Sequence, residues 1–317
     1  MYLKYSNNRI YLLYKGRLKI KGAVKMSLTQ SEILYIKTIM KSKNPSDNEA
    51  IEFYNKHKEL FINMDSSDIK YIENSRTERG ALPKWNVQRD GEVYFVKTGN
   101  YSYGTFSTLE PVSEYIASAI GYTLNINICN SFIEEIDVFH KKVLVSMSKS
   151  FLSNDNIYRS IRMFLSDSEI KSNELLDLII EKFPQYKEDI YNMIIFDFLI
   201  NNTDRHLNNF GFICSDEGEI ISMAPLFDNG MSLLADVNED ILRKDINLLD
   251  RNSSCKPFRS RQHKQIKLVP KEFIRYIDHL SNIEELVMKI EYLSDLRKES
   301  IINLLRLRNN YLKERCI

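Results

Sequence analysis

The segment "NNTDRHLNNFGF", residues 201–212, places an acid, an imidazole and four asparagines directly after the apolar stretch "YNMIIFDFLI". Asp204 and Asn209 are five positions apart, and a second acid, Asp228, follows in "PLFDNG". Carboxylate and amide oxygens are ligands that Mg²⁺ accepts, and a carboxylate beside a hydroxyl can take its proton. The three residues therefore fit an ATP-dependent phosphoryl transfer, with Asp204 beside the acceptor hydroxyl and Asn209 and Asp228 holding magnesium.

The elements that must position these residues follow from local patterns. Residues 170–200 and 283–313 carry apolar side chains at helical spacing, and residues 209–230 predict two short strands around a turn. Either Asp204 or Asn209 alone is well explained as a turn-forming residue. Their joint spacing with Asp228 favours the functional interpretation, because protein kinases place a catalytic aspartate, an asparagine and a metal-binding aspartate in this order.

The first half of the chain offers a candidate ATP lysine. "EVYFVKTG", residues 92–99, is predicted to be a strand that carries Lys97. The next helix is predicted to begin near Pro111, to carry Glu114 and to end at Gly121. A strand lysine paired with a helix glutamate holds ATP phosphates in kinases, whereas a lone strand lysine commonly lies at the surface.

A candidate phosphate-binding loop precedes that strand. In "SRTERGALPKW", residues 75–85, Gly80 and Ala81 have minimal side chains, so backbone N–H groups there could approach phosphates. Lys84 would add positive charge. One glycine does not make a phosphate loop, so this interpretation depends on the position of the segment just before the Lys97 strand.

Together these motifs resemble the HipA-type kinases, including the related CtkA kinases. The similarity is carried by "NTDRHLNN", "PLFDNG", "RGALPK" and "PVSEYIASAIGY", and it covers roughly residues 75–317. It implies an α+β, two-lobed protein-kinase-like fold with a mixed α/β N-lobe and a mostly helical C-lobe. We predict a divergent N-terminal segment over 1–74, the N-lobe over 75–150 and the C-lobe over 151–317.

The resemblance also implies a role for each matching residue. Asp204 is the catalytic carboxylate, Asn209 and Asp228 bind magnesium, and His206 braces the loop or touches phosphate, unless it is a structural histidine. Members of the family also autophosphorylate just before the G-A motif, where this chain has Ser75 and Thr77. The remaining candidates would bind ATP: Gly80, Ala81, Lys84, Lys97, Glu114, Met147 and Ser148.

Bulk composition excludes several classes of protein. The 317 residues carry a net charge of only +1, which gives no reason to expect nucleic acid or a membrane as partner. The N-terminal residues lack the pattern of a signal peptide, so we expect a cytoplasmic protein, bacterial or phage-encoded, with secretion as an effector left open. Four widely spaced cysteines argue against a zinc site or a disulfide framework.

Three functions stay open at this stage. The first is a Ser/Thr protein kinase that acts on a protein substrate and is a candidate toxin with an antitoxin partner. The second is a phosphoinositide-type lipid kinase, because "DRHLNN" also fits the D-R-H-x-x-N loop of those enzymes. The third is a nucleotide-binding pseudokinase that serves as an interaction module. The basic run "KPFRSRQHKQIK", 256–267, could contact an anionic partner, but such runs are commonly solvated loops.

Overall fold

The computed structural model describes residues 2–6, 9–14, 17–18, 46–56, 84–89, 91–102, 105–138, 141–153 and 155–316. The chain divides into two compact units. The first comprises residues 1–108 and 133–149, and the second comprises residues 109–132 and 150–317. The predicted borders at 74/75 and 150/151 stay predictions.

The described part of the first unit is mainly antiparallel sheet. Its elements are β1 Tyr2–Ser6, β2 Arg9–Tyr14, β3 Arg17–Leu18, α1 Asp47–Lys56, β4 Lys84–Arg89, β5 Glu92–Thr98, β6 Tyr101–Ser102, β7 Thr105–Phe106, β8 Ser131–Val138 and β9 Lys141–Lys149. Strands β1–β3 form one sheet, β4, β5, β9 and β8 form a second in that order, and β6 pairs with β7.

Strand β5 is the strand predicted over residues 92–99, and it carries the candidate ATP lysine, Lys97. It starts after Gly91, whose φ of 82° suits the turn. Val96 and Thr98 are each 1% exposed, whereas Lys97 between them is half-buried, as expected for side chains that alternate across a sheet. In the backbone register, Lys97 is opposite Lys84 on β4 and Ser146 on β9.

The second unit is mostly helical. The predicted helical stretches 170–200 and 283–313 are helical, but each is divided into shorter helices. Its elements are α2 Leu109–Thr123, β10 Asn156–Ser160, α3 Asp167–Ile170, α4 Leu175–Lys182, α5 Lys187–Ile200, β11 Gly211–Ser215, β12 Ile220–Met223, α6 Glu239–Leu242, α7 Ile246–Asn252, α8 Gln262–Gln265, α9 Ser281–Lys289 and α10 Asp295–Cys316.

Helix α5 lies in the core of the second unit. Every residue of it from 193 to 200 is buried. The helix ends at Asn201, which adopts the left-handed conformation with φ 57° and ψ 46° and donates its backbone N–H to the carbonyls of Asp197 and Phe198. Asparagine is one of the few residues besides glycine that tolerate this conformation. The chain therefore leaves the core abruptly, and the polar loop begins at once.

The predicted hairpin after the loop is confirmed, and it extends into a three-stranded sheet. Strand β11 pairs with β12 and also with β10 on its other side. A side chain at Gly211 would force the backbone to shift, because a Cβ there would lie 2.2 Å from the carbonyl oxygen of Arg159 on β10. The glycine therefore permits the close approach of β11, which begins directly after the polar loop, to the end of β10.

The predicted end of helix α2 at Gly121 is wrong. The helix continues to Thr123, and Gly121 lies within it. A Cβ at Gly121 would lie 2.8 Å from Ile128, so the glycine allows the returning chain to pack closely. Its role is packing rather than termination.

A buried ion pair joins three helices of the second unit. Arg308 on α10 is 0% exposed and donates through Nε to Asp250 of α7 at 2.7 Å. It also donates to the carbonyl of Phe198 on α5 and lies 4.7 Å from the centre of that ring. A buried charge needs such partners.

Candidate active site

Arg205 is the centre of the polar loop. Its side chain and that of Asp197 on α5 are 0% and 1% exposed, and Nε lies 3.0 Å from Asp197 Oδ2. The guanidinium also donates to the carbonyls of Asn209 and Phe227 and to Oδ1 of Asn229. Burial alone would lower the pKa of Arg205, but the negative charges around it, foremost Asp197, raise it above its ordinary value. The residue therefore stays charged and ties helix α5, the loop and the Asp228 segment together.

Asn202 continues this network into the backbone of the candidate catalytic residue. It is 0% exposed, donates to Asp197 at 2.9 Å and accepts the backbone N–H of Asp204 at 3.0 Å. The Nδ2 group of Asn209 donates to the carbonyl of Asp204 at 3.2 Å. The backbone of Asp204 is thus held from both sides, while its side chain is 39% exposed.

The second candidate acid, Asp228, lies in the segment that Arg205 binds. Its φ is 61°, in the left-handed region. Its two neighbours in the chain, Phe227 and Asn229, both accept hydrogen bonds from Arg205. The segment is further held at Ser232, whose carbonyl accepts the hydroxyl of Ser113 on α2 at 3.1 Å. Arg205 therefore links the backbone of Asn209 to the segment that carries Asp228, and Asn209 in turn bonds to the backbone of Asp204. The catalytic and metal-binding roles of these three residues stay predictions.

His206 lies inside the loop turn. Its backbone N–H donates to the carbonyl of Asp204 at 2.8 Å, and its Nδ1 accepts the backbone N–H of Asn208 at 3.2 Å. The carbonyl of Asn208 in turn accepts the hydroxyl of Tyr158 at 3.0 Å. These contacts are those of a residue that braces the loop, and a phosphate-binding role for His206 stays a prediction.

Lys256 is a functional candidate that the sequence analysis did not single out. Its Nζ lies 2.7 Å from Oδ1 of Asp204, in a pair whose side chains are 55% and 39% exposed. The basic run from which it comes is not a loosely solvated loop, because Gln262 and Gln265 within it are each 1% exposed. Gln262 donates to the carbonyl of Asn202 at 2.6 Å, so the run packs directly against the polar loop.

The candidate ATP-binding residues fall in both units. Lys97 and Ser148 are half-buried and Met147 is 2% exposed, all in the first unit. Glu114 is 5% exposed in the second unit, so the proposed pair of Lys97 and Glu114 stays a prediction. Lys84 begins strand β4. The loop candidates lie outside the described residues: Ser75, Thr77, Gly80 and Ala81.

The donor types of Asn209 and Asp228, an amide and a carboxylate oxygen, suit magnesium. Asn209 uses its Nδ2 group to bond the loop, which leaves its Oδ1 as the amide atom able to accept or coordinate. Mg²⁺ is commonly bound through one or two protein oxygens, with water and substrate phosphates as the other ligands. In the described part of the chain no group of three or more His, Cys, Asp or Glu side chains could hold a metal. An amide and a carboxylate that share the ion with phosphates need no such group.

The sequence contained a signal for two of the missed residues. Asp197 is the only charged residue within "YNMIIFDFLI", and a lone acid in a buried helix requires a buried partner. Arg205 was the nearest cation after it in the sequence. The pairing of Lys256 with Asp204 across 52 positions left no comparable local signal.

Comparisons with known proteins identify a family and a fold that this chain shares. A family model described as the HipA-like C-terminal domain matches residues 78–287. The structure of the proinflammatory kinase CtkA from Helicobacter pylori is 18% identical, with 79% of this chain and 95% of that chain covered and a TM-score of 0.64. HipA from Shewanella oneidensis, solved with HipB and operator DNA, is 15% identical, with 84% and 72% covered and a TM-score of 0.43. No curated protein sequence matches the chain.

The likeness to the CtkA kinase shows the fold. The two-lobed, α+β, protein-kinase-like fold class predicted from the sequence is confirmed. Among the described residues, no helix combines the length and apolar character needed to span a membrane.

Proposed function

Because the chain belongs to the family of HipA-like C-terminal domains, we propose that it is an ATP-dependent kinase that phosphorylates a serine or threonine hydroxyl of a protein. The observation that carries this proposal is the network around the buried Arg205, which binds the carbonyls of Asn209 and Phe227, while Asn209 binds the carbonyl of Asp204. A phosphoryl transfer needs little covalent help from the protein and depends on positioning and charge. The network around Arg205 supplies the positioning.

Each residue of the site has one task in this proposal. The exposed Asp204 carboxylate accepts the proton of the substrate hydroxyl, since its backbone is fixed by Asn202 and Asn209. Asn209 and Asp228 would hold magnesium, which when bound offsets the negative charge of the phosphates. The proposal also gives Lys97 the role of binding ATP phosphate and Glu114 the role of orienting it, as the resemblance implies.

The direct test is transfer from labelled ATP and Mg²⁺ to proteins of a bacterial lysate, followed by mapping of the phosphorylated residues. We expect phosphate on serine or threonine with the wild type and none with Asp204→Ala or Asp228→Ala. The exposed pair that Asp204 forms contributes only about 0–1 kcal/mol to folding, so Asp204→Ala should unfold like the wild type. Asp216→Ala, in the exposed hairpin turn, is the matched control and should retain transfer.

Two other outcomes would replace the proposal. Transfer to phosphoinositide vesicles but not to proteins would favour a lipid kinase. Tight binding of Mg-ATP with no transfer to any acceptor would indicate a pseudokinase that acts as a binding module. Equal transfer by the wild type and both aspartate variants would show that the catalytic assignments are wrong.

We also propose inhibitory autophosphorylation on Ser75 or Thr77 and a toxin role with an antitoxin partner. A phosphate adds about −1.5 to −2 charges, which would repel ATP phosphates bound nearby. Mass spectrometry after incubation with Mg-ATP tests the first idea, and the absence of phosphate on both hydroxyls would end it. Expression that arrests growth with the wild type but not with Asp204→Ala would support the second, and unaffected growth would contradict it.

A further inference from the structure

The pair between Lys256 and Asp204 is held by more than its own attraction. Gln265, which is 1% exposed, accepts the backbone N–H groups of Phe258 and Arg259 at 3.0 and 3.1 Å. Its Nε2 group donates to the carbonyl of Lys256 at 3.0 Å. One buried glutamine therefore closes the backbone turn that carries the lysine.

A second buried glutamine fixes this turn against the polar loop. Gln262 donates through Nε2 to the carbonyl of Asn202 at 2.6 Å, two positions before Asp204. Its backbone N–H donates to the carbonyl of Ser253 at 3.2 Å, three positions before Lys256. Gln262 thus bonds to the backbone near Asp204 and to the backbone near Lys256, so the fold holds these two segments next to each other.

The stability gained from the ion pair itself does not account for this arrangement. An exposed ion pair contributes about 0–1 kcal/mol, and the side chains of Lys256 and Asp204 are 55% and 39% exposed. The hydrogen bonds of the buried Gln262 and Gln265 amides hold the backbone segment from which that exposed charge projects. Exposure also leaves the two remaining N–H groups of an ammonium able to bind a substrate anion.

We propose that Lys256 is a phosphate-binding catalytic residue that contacts the γ-phosphate of ATP beside Asp204. This inference rests on the proposed kinase function. In the transfer, the acceptor oxygen forms a bond to the γ-phosphorus and its proton passes to Asp204. The bond from that phosphorus to the β,γ-bridging oxygen breaks, and ADP leaves with the electron pair. Lys256 stays protonated and offsets the charge on the transferred group.

Nucleotide affinity tests the contact without requiring catalysis. The dissociation constants of Mg-ADP and of the Mg complex of a β,γ-imido ATP analogue are measured by calorimetry for the wild type, Lys256→Ala, Lys256→Arg and Lys264→Ala. Only the analogue carries a γ-phosphate. Lys256→Ala should therefore raise the dissociation constant of the analogue by about tenfold and change that of ADP by no more than about twofold. Lys256→Arg should recover part of the difference. Lys264, an exposed lysine of the same run, is the matched control and should change neither constant.

A double variant separates direct contact from relief of repulsion. If Lys256 only neutralised Asp204, its removal would have no effect on affinity in an Asp204→Asn background. We expect the loss of affinity for the analogue to persist there. An unchanged ratio of the two constants in Lys256→Ala, or a loss that vanishes in the Asp204→Asn background, would overturn the proposal.

Turnover gives an independent measurement. In the active enzyme we expect Lys256→Ala to lower kcat by about 10²-fold, as removal of one charge-stabilising donor does elsewhere. Thermal unfolding should match that of the wild type. A wild type without transfer would refute the kinase function, yet the affinity ratio would still test Lys256. An active wild type with an equally active Lys256→Ala variant would refute the role of Lys256 alone.

Discussion

Replacing Arg205 should lower the thermal stability of the second unit, whereas replacing the candidate catalytic residue Asp204 should not. Arg205→Met leaves the carboxylate of Asp197 buried at 1% exposure without its cation, although Asn202 still donates to it. Breaking one partner of such a buried pair costs about 3–5 kcal/mol. For a unit of this size that corresponds to a fall in Tm of about 6–20 °C. Asp204→Ala, which removes an exposed carboxylate, should lower Tm little.

Replacing both partners sharpens the comparison. Asp197→Leu combined with Arg205→Met removes both charges of this buried pair, so we expect the double variant to recover most of the lost unfolding free energy. It should not recover transfer, because Asn209 and the Asp228 segment would still lack the guanidinium that binds their backbone. Urea unfolding and the transfer assay are the two measurements. A double variant as unstable as Arg205→Met would refute the reasoning from buried charge, and one with full transfer would refute the positioning role.

Two further changes test the fold around the site. Gly211→Ala should lower the unfolding free energy by about 1–3 kcal/mol, because its Cβ would lie 2.2 Å from the carbonyl oxygen of Arg159. Urea unfolding measures this loss, and a variant as stable as the wild type would contradict the close contact. Burial alone would raise the pKa of Asp250, but the hydrogen bond from His263 and the charge of Arg308 outweigh it and hold that pKa below its usual value. The stability that this lowered pKa provides is present above about pH 4 and is lost as the pH falls further. Asp250→Asn should therefore make the unfolding free energy depend less on pH below about pH 4, and an unchanged dependence would refute the assignment.

The local parts of the site were predictable from the sequence. The end of α5, the loop with Asp204 and Asn209 and the hairpin before Asp228 follow from apolar periodicity and turn residues, which act over a few positions. The helix end at Gly121 was predicted wrongly, because a glycine also serves where another segment packs closely, and Ile128 was not visible as a neighbour. Composition alone does not distinguish these two uses.

The long-range parts were not predictable. Lys256 reaches Asp204 across 52 positions, and Gln262 reaches Asn202 across 60. Such contacts depend on tertiary packing and leave no periodic pattern, so a packed basic run resembles a solvated one in sequence. Arg205 is a similar case, since a buried arginine differs from a surface arginine only through its distant partners.

The burial of helix α5 has a consequence for motion. Residues 193–200 have no solvent-facing side, and the polar loop begins at the next residue. Amides in such a segment exchange their hydrogens with water only when the surrounding unit opens as a whole. The amides at the end of α5, where the loop begins, should therefore be among the slowest to exchange. A conformational change that regulates this protein would have to move other segments, because this helix end opens only with the whole unit.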